Sequence, residues 1–450
     1  MATLKLLILL LFPAAVTASL SGHSSAAEDT AKNPHAFIVQ VAKETMPFHN
    51  VLYSAAIGLG TDPTASIDFV IDLGGGFPWF VCSTARYNSS SYREIGYSSP
   101  KCRLVKNPSM TSSCYPIGTC PDPSCGVDVN NPYSNRNYHG SVLSQDVMSF
   151  VSTPDGRTLG PRLESPQLVF ACADDEVFEY PFPASSLGMI GLSKNGLSLP
   201  NQLTSAFRLP RKFALCLPSK PKASARGDLF IGGGPYFYPP YQGDASRLFV
   251  AAPLFGNPYY STLPLINAAP SNDYYIGVKS IAIDGKTIPF EKSLLSIGKD
   301  GNGGTQLSSI APCTSMHPAI FKPFFKAFMA KATGKNMVPA PSDGMYPPMA
   351  CFDRRSVRRG ITGPDVPVID LLVQGGGIWR IYGSNSMVDY DENRTCLAFV
   401  DAGKEARAGI VIGSLALEDT LVEFDLDSSK FSVTSSLLMH NTSCSRFRTA

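Results

Sequence analysis

Residues 70–79 read VIDLGGGFPW. An apolar run, continuing back to Asp68 as DFVIDLGGG, delivers one acid, Asp72, into three successive glycines. Such a pattern is a buried strand ending in a tight turn. It has an answer further on in Met189-Ile190-Gly191-Leu192-Ser193. It also has an echo in the second half, where residues 304–311 read GTQLSSIA and are answered by Val411-Ile412-Gly413-Ser414-Leu415. In each half a short apolar strand enters a turn, and an apolar-apolar-Gly segment follows after a comparable length of chain. The repeat predicts two related lobes with a cleft between them.

Around these segments the chain is strand-and-turn in texture. Apolar runs at 51–53, 67–73, 167–171, 212–217, 228–231, 274–283 and 432–438 are bounded by Gly, Pro, Asn and Ser, which predicts a mainly β fold. Two helices are expected. One covers 199–207. The other covers 317–332, with Pro318 in its first turn, Ile320, Phe324, Phe325, Phe328 and Met329 at helical spacing, and Gly334 as its stop.

The composition excludes several function classes. At roughly 150 residues per domain, 450 residues make two or three domains. Charged residues are 16%, against about 25% in a typical soluble chain, and 38 Gly and 37 Pro suit a loop-rich β protein. A formal charge of +2 provides no field to recruit nucleic acid or an anionic membrane. Residues 1–18 read as a secretory signal. Lys5 precedes an apolar run at 6–12, and Val16-Thr17-Ala18 supplies small residues before a cut. The run is too short to span a bilayer, and no later stretch reaches about 18 apolar residues. The mature chain is therefore expected to be a secreted, soluble monomer of the extracellular space or cell wall.

Export makes the eleven cysteines readable as disulfides. No Cys-x-x-Cys occurs and the six His are scattered, so neither a metal nor a cofactor is expected. An odd count leaves at least one thiol unpaired or joined to another molecule. Sequons at Asn88, Asn393 and Asn441 are candidate glycosylation sites in the same compartment.

VIDLGGGFPW resembles the first active-site segment of the pepsin-type aspartic proteases, where an apolar pair precedes Asp-Thr-Gly-Ser. The segments LGMIGLSKNGLSLPNQL and IVIGSLALEDTLVEFDLDSSKFSV resemble later parts of the same fold, in the same order. The chain is most similar to the plant branch containing the TAXI-type xylanase inhibitors, the legume basic globulins and the dermal glycoproteins. The supporting segments include YREIGYSSPKC, KFALCLPS, YYIGVKSIAIDGKTIP, YGSNSMVDYDENRTCLAFVDAG and LLMHNTSC. The resemblance implies a bilobal pepsin-like fold, with a first lobe near 42–250 and a second near 251–450. It also implies disulfides Cys351–Cys396 and Cys216–Cys444, with Cys313 as the odd thiol. Tyr97 stands where relatives often carry a cysteine.

Pepsin-type catalysis needs two carboxylates that share a proton over one water. By this resemblance Asp72 holds the first place, and Ser308 replaces the second acid. A hydroxyl can be neither the general base nor the anionic partner, and losing one member of such a unit commonly costs several orders of magnitude in rate. Leu73 replaces the hydroxyl residue that bonds across the lobes, and residues 130–140 lack the Tyr-Gly-x-Gly of a substrate flap. The protein is thus expected to be a non-catalytic homologue with Asp72 as a remnant, provided that no other carboxyl faces Asp72. Asp300 is the competing second acid. Ser308 or Ser309 as a nucleophile would need a base, and His317 is the nearest histidine in sequence. The basic cluster Arg354, Arg355, Arg358 and Arg359 is expected to be a solvated loop.

In the TAXI-type inhibitors a histidine shortly before the last cysteine enters the xylanase cleft between its catalytic carboxylates. His440 precedes Cys444 with that spacing, which implies an inhibitor of microbial xylanases or related cell-wall-degrading glycosidases, acting by occlusion in plant defence. An aspartic endopeptidase with residual activity and a storage or peptide-binding globulin are the alternatives.

Overall fold

The computed structural model describes residues 34–447, apart from 47–50, 62–65, 84–86, 106, 112–121, 133–135, 179–181, 184, 259–270 and 343–348. The signal segment 1–18, Cys114 and Cys120 lie outside the described residues.

The sequence repeat becomes a repeated strand pairing. The strand Ser66–Asp72 runs parallel to Ser186–Gly191, with Ile71 opposite Ile190 and Asp72 opposite Gly191. In the second half Thr305–Leu307 runs parallel to Ile410–Ile412, with Leu307 opposite Ile412. Each first strand is flanked by an antiparallel neighbour: Val51–Leu59 in one half and Tyr275–Ile276 in the other. The apolar-apolar-Gly segments are short because both of their faces are buried.

Six strands join the two lobes in one antiparallel sheet. Their order is Ala36–Thr45, Gly227–Ile231, Lys212–Cys216, Leu421–Asp425, Lys430–Val433 and Val250–Phe255. Its core is aromatic. Phe213 stacks on Phe424 with ring centres 4.6 Å apart, and Phe424 meets Tyr274 at 4.7 Å and Phe431 at 5.4 Å. All four are fully buried. The second lobe adds a four-stranded sheet in the order Lys286–Thr287, Val278–Ile283, Ile369–Val373 and Ile378–Ile381.

Helices form at Leu199–Phe207 and Pro318–Gly334. The second buries Ile320, Phe324 and Phe328 along one stripe. The strand Ala36–Thr45 was not among the runs read from the sequence. Two of those runs are corrected. Residues 274–283 break at Gly277, because Tyr275–Ile276 pairs with Thr305–Leu307 while Val278–Ile283 pairs with Ile369–Val373. Residues 432–438 are not one strand. The strand Lys430–Val433 ends, and a 3₁₀ turn, Leu437–His440, follows because Leu437 N donates to the Asp419 carbonyl.

The disulfides Cys82–Cys172, Cys102–Cys125, Cys216–Cys444 and Cys351–Cys396 are formed, and Cys313 is a free thiol whose pKa burial pushes up to about 11. Asp389 draws Arg354 (3.1 Å) and Arg359 (2.6 Å) into ion pairs, so the basic loop is partly neutralised rather than simply solvated.

A charged node is buried where Ala36–Thr45 and Val51–Leu59 meet the segment after Ile410–Ile412. Glu418 accepts from Tyr53 Oη and from Lys43 Nζ, each at 2.5 Å. Burial pushes the Glu418 carboxyl up to about 7, against the pull of Lys43 and Tyr53. Because this folded-state pKa lies above the unfolded value of 4.5, its contribution to stability is complete below about pH 4.5 and is lost as pH rises through 7. Lys43→Met leaves Glu418 without its cation. Urea unfolding is expected to show a loss of about 3 kcal/mol near pH 8, shrinking as pH falls and smallest well below pH 4.5, where the carboxyl is neutral in both states. A loss independent of pH would contradict this assignment.

Candidate functional site

Asp72 ends its strand at the floor between the lobes. Its carbonyl accepts from Leu192 N at 2.9 Å, and its Oδ1 accepts from Gly74 N at 2.8 Å. One of the three glycines is required by close approach of backbone, and a second faces a side-chain carboxylate. A Cβ on Gly75 would lie 2.8 Å from Gly191 Cα, and one on Gly74 would lie 2.4 Å from Asp273 Oδ1. The glycine run is therefore a packing surface.

Ser309 fastens the second lobe to this loop. Its hydroxyl donates to the Ile71 carbonyl at 2.8 Å and accepts from Leu73 N at 3.0 Å, all within the buried interior. The residues on both sides of Asp72 are thus gripped by the residue next to Ser308. The grip is one-sided, because the Leu73 side chain is buried in the hydrophobic core and returns no hydroxyl. Ser308 Oγ accepts from Ile310 N at 3.2 Å and Ala311 N at 3.0 Å. It caps its own turn.

One acid was missed in the sequence. Asp273 precedes the buried Tyr274, whose hydroxyl donates to the Leu192 carbonyl at 2.8 Å and so carries the segment across to the first lobe. A Cβ on Gly74 would stand 2.4 Å from Asp273 Oδ1 and 3.5 Å from Asp72 Oδ1, so these oxygens are no more than about 6 Å apart. Asp273 is the carboxyl on which the condition set by the sequence, that no other acid faces Asp72, turns. Asp273 approaches from the Gly74 side, however, and its Oδ2 is held by Ser271 Oγ at 2.6 Å. The legible signal was its position just ahead of the strand that pairs with Thr305–Leu307; its side chain gave none.

Burial, and secondarily the Asp273 charge, push the Asp72 carboxyl up to about 6, while the amides of Gly74 and Gly75 pull it down. Lys194, which donates to the Phe255 carbonyl at 2.8 Å, is held below its ordinary range by burial and is pulled back up by Asp273.

The other candidates fall elsewhere. Asp300 is exposed and bonded to Asn302 N and Nδ2, at 3.1 and 2.7 Å. His317 Nδ1 accepts from Ala319 N and caps the helix Pro318–Gly334, so it is engaged away from any nucleophilic role. Residues 130–140 contribute to a hairpin, with Asn130 opposite Asn137, and its tip lies outside the described residues.

His440 closes the turn Leu437–His440. It is exposed, and its ring meets Tyr241 edge-on with centres 5.3 Å apart. The tail is pinned by Cys216–Cys444, by Cys444 N on Asp419 Oδ1 at 3.0 Å, and by Thr442 Oγ1 on the Pro239 carbonyl at 2.8 Å. Asn441 follows in the left-handed region, φ 56°, and is exposed, as are Asn88 and Asn393. Among the described residues no helix is long and apolar enough to cross a membrane.

A repeated parallel strand pair in each lobe and a shared six-stranded sheet define a two-lobed pepsin-like protein. The chain belongs to the family described as xylanase inhibitor N-terminal, matched over residues 53–233, and xylanase inhibitor C-terminal, matched over 273–435. It is similar to probable aspartic proteinase GIP2 of Nicotiana benthamiana, 34% identical over 94% of each chain. It is also similar to gamma conglutin 1 of Prunus dulcis, 34% identical over 93% of this chain and 88% of that one. The crystal structure of edgp superposes with a TM-score of 0.82 at 34% identity, covering 92% of this chain and 98% of that one.

Two outcomes follow for this site. Ser309→Ala leaves buried groups on both sides of Asp72 unpaired and should cost about 2–4 kcal/mol in urea unfolding. The Asp72 pKa is raised from 3.8 to about 6, so its stabilising share is complete below pH 3.8 and lost as pH rises through 6. Asp72→Asn should flatten the stability profile in that window, and an unchanged slope would contradict the raised pKa.

Proposed function

We propose that this protein is a secreted, non-proteolytic member of its family that binds and occludes a microbial xylanase or a related cell-wall-degrading glycosidase. The observation that carries the non-proteolytic part is Ser308 in the second acid's place, its oxygen occupied by two backbone amides of its own turn. Leu73 and Gly75 also leave the Asp72 loop without a hydroxyl. The four disulfides among the described residues support an oxidising compartment.

Both halves of the chain match models described as xylanase inhibitor, which supports the target class. His440 supports the mode of binding. It is exposed on a turn that a disulfide holds, so little order is lost when it docks. An imidazolium between two carboxylates gains charge-assisted hydrogen bonds.

Asp273 favours a second reading, an endopeptidase working at acid pH through Asp72 and Asp273. One pair of assays separates the two. With denatured haemoglobin or casein between pH 3 and 7, no cleavage is expected. Pepstatin-sensitive cleavage that disappears in both Asp72→Asn and Asp273→Asn would establish the second reading. With fungal endo-xylanases, inhibition is expected to weaken at least tenfold in His440→Ala and to strengthen when Asn441→Gln removes the neighbouring sequon. No inhibition by excess protein, or equal inhibition by His440→Ala, would overturn the proposed binding mode.

A further inference from the structure

Two cavities adjoin beside the strand pair Tyr275–Ile276 and Thr305–Leu307. One, of about 380 Å³, has an apolar wall made by Phe255, Tyr275, Ile276, Leu295 and Ile297. The other, of about 460 Å³, is mostly apolar in its surface but carries the side chains of Lys194, Asn195, Asn257, Ser271 and Asn272. They share Gly256 and Pro258. The volumes lie in the range of small-molecule sites, which are apolar with a few convergent polar groups.

The charges in these walls are of one sign. Among the described residues neither lining contains Asp or Glu, and each contains a lysine: Lys299 in the first cavity and Lys194 in the second. Lys194 stands at the junction. Its Nζ donates to the Phe255 carbonyl at 2.8 Å and lies 5.6 Å from the centre of the Tyr274 ring. A Cβ on Gly256, which lines both cavities, would come within 2.6 Å of that Nζ. Burial holds the Lys194 ammonium below its ordinary range, which marks a partly desolvated cation with donors to spare. Asp273 offsets this charge from outside and lines neither cavity. At the mouth, Phe255 is 40% exposed, an apolar surface that a ligand would cover.

We propose that the joined cavities bind one small amphiphilic carboxylate, an aryl or acyl acid, with its apolar body against Phe255, Tyr275, Leu295 and Ile297 and its carboxylate over Gly256 on the Lys194 ammonium. A neutral analogue fills the apolar cavity but forgoes the charge-assisted bond. The site is separate from His440, so it stands whether or not the protein inhibits a glycosidase.

The test is calorimetric titration of the full chain with 1-naphthoate and, in parallel, with 1-naphthamide. One naphthoate per chain is expected, bound at least tenfold more tightly than the amide. Lys194→Met should bring the two within about twofold, and Lys194→Arg should keep the preference. Ser296→Trp, a change at an exposed residue of the apolar cavity wall, should block both. No saturable binding, equal affinity for the acid and the amide, or binding unaffected by Ser296→Trp would overturn the proposal. Should Lys194→Met not fold, the acid-to-amide ratio in the unaltered protein and the Ser296→Trp result decide the matter.

Discussion

The Ser309 hydroxyl is the contact on which the cleft depends. It is the donor to Ile71 O and the acceptor from Leu73 N, and so fixes the second-lobe turn against the residues on either side of Asp72. Buried in low dielectric, such paired bonds are stiff and costly to lose. They fix the turn that carries Ser308 against the Asp72 loop. A pepsin-like floor with Asp at position 308 would put two carboxylates here. On the proposed reading Ser308 keeps that floor without supplying the second acid.

Around that floor the lobes are joined three times by different physics. The six-stranded sheet supplies backbone hydrogen bonds, the Phe213–Phe424 stack supplies apolar contact, and the Lys43–Glu418–Tyr53 node supplies buried charge. Asp419, next to Glu418, receives Cys444 N through its side chain and Leu437 N through its carbonyl. The turn bearing His440 is therefore anchored to the centre of the molecule, although His440 itself is exposed. A rigid tail of this kind suits insertion into another protein's cleft better than a frayed one does.

Much of this was legible in the sequence, and for identifiable reasons. The strand into Asp72 and its answer at Met189-Ile190-Gly191 were visible because parallel strands buried on both faces are written as unbroken apolar runs. The helices at 199–207 and 317–332 showed their period and their stops. Ser308 was placed by the internal repeat and the family resemblance together. Asp273 was not legible, because what brings it to Gly74 is the Tyr274 hydroxyl reaching Leu192, a contact across 82 residues. The break at Gly277 was hidden for a similar reason: one apolar run serves two sheets, and only the partners reveal the division. The 3₁₀ turn before His440 likewise depends on Asp419, far from it along the chain.

The central claim is that Asp72, though perturbed by burial and by the nearby Asp273, titrates as a single acid and shares no proton. Carbon-13 NMR of the aspartate carboxyls against pH tests it most directly. A single Asp72 transition near pH 6 is predicted, moving downward but remaining single in Asp273→Asn and unchanged in Ser308→Ala. Two coupled transitions seen at both Asp72 and Asp273, one of them below about pH 3, are the signature of a shared-proton pair and would contradict the account.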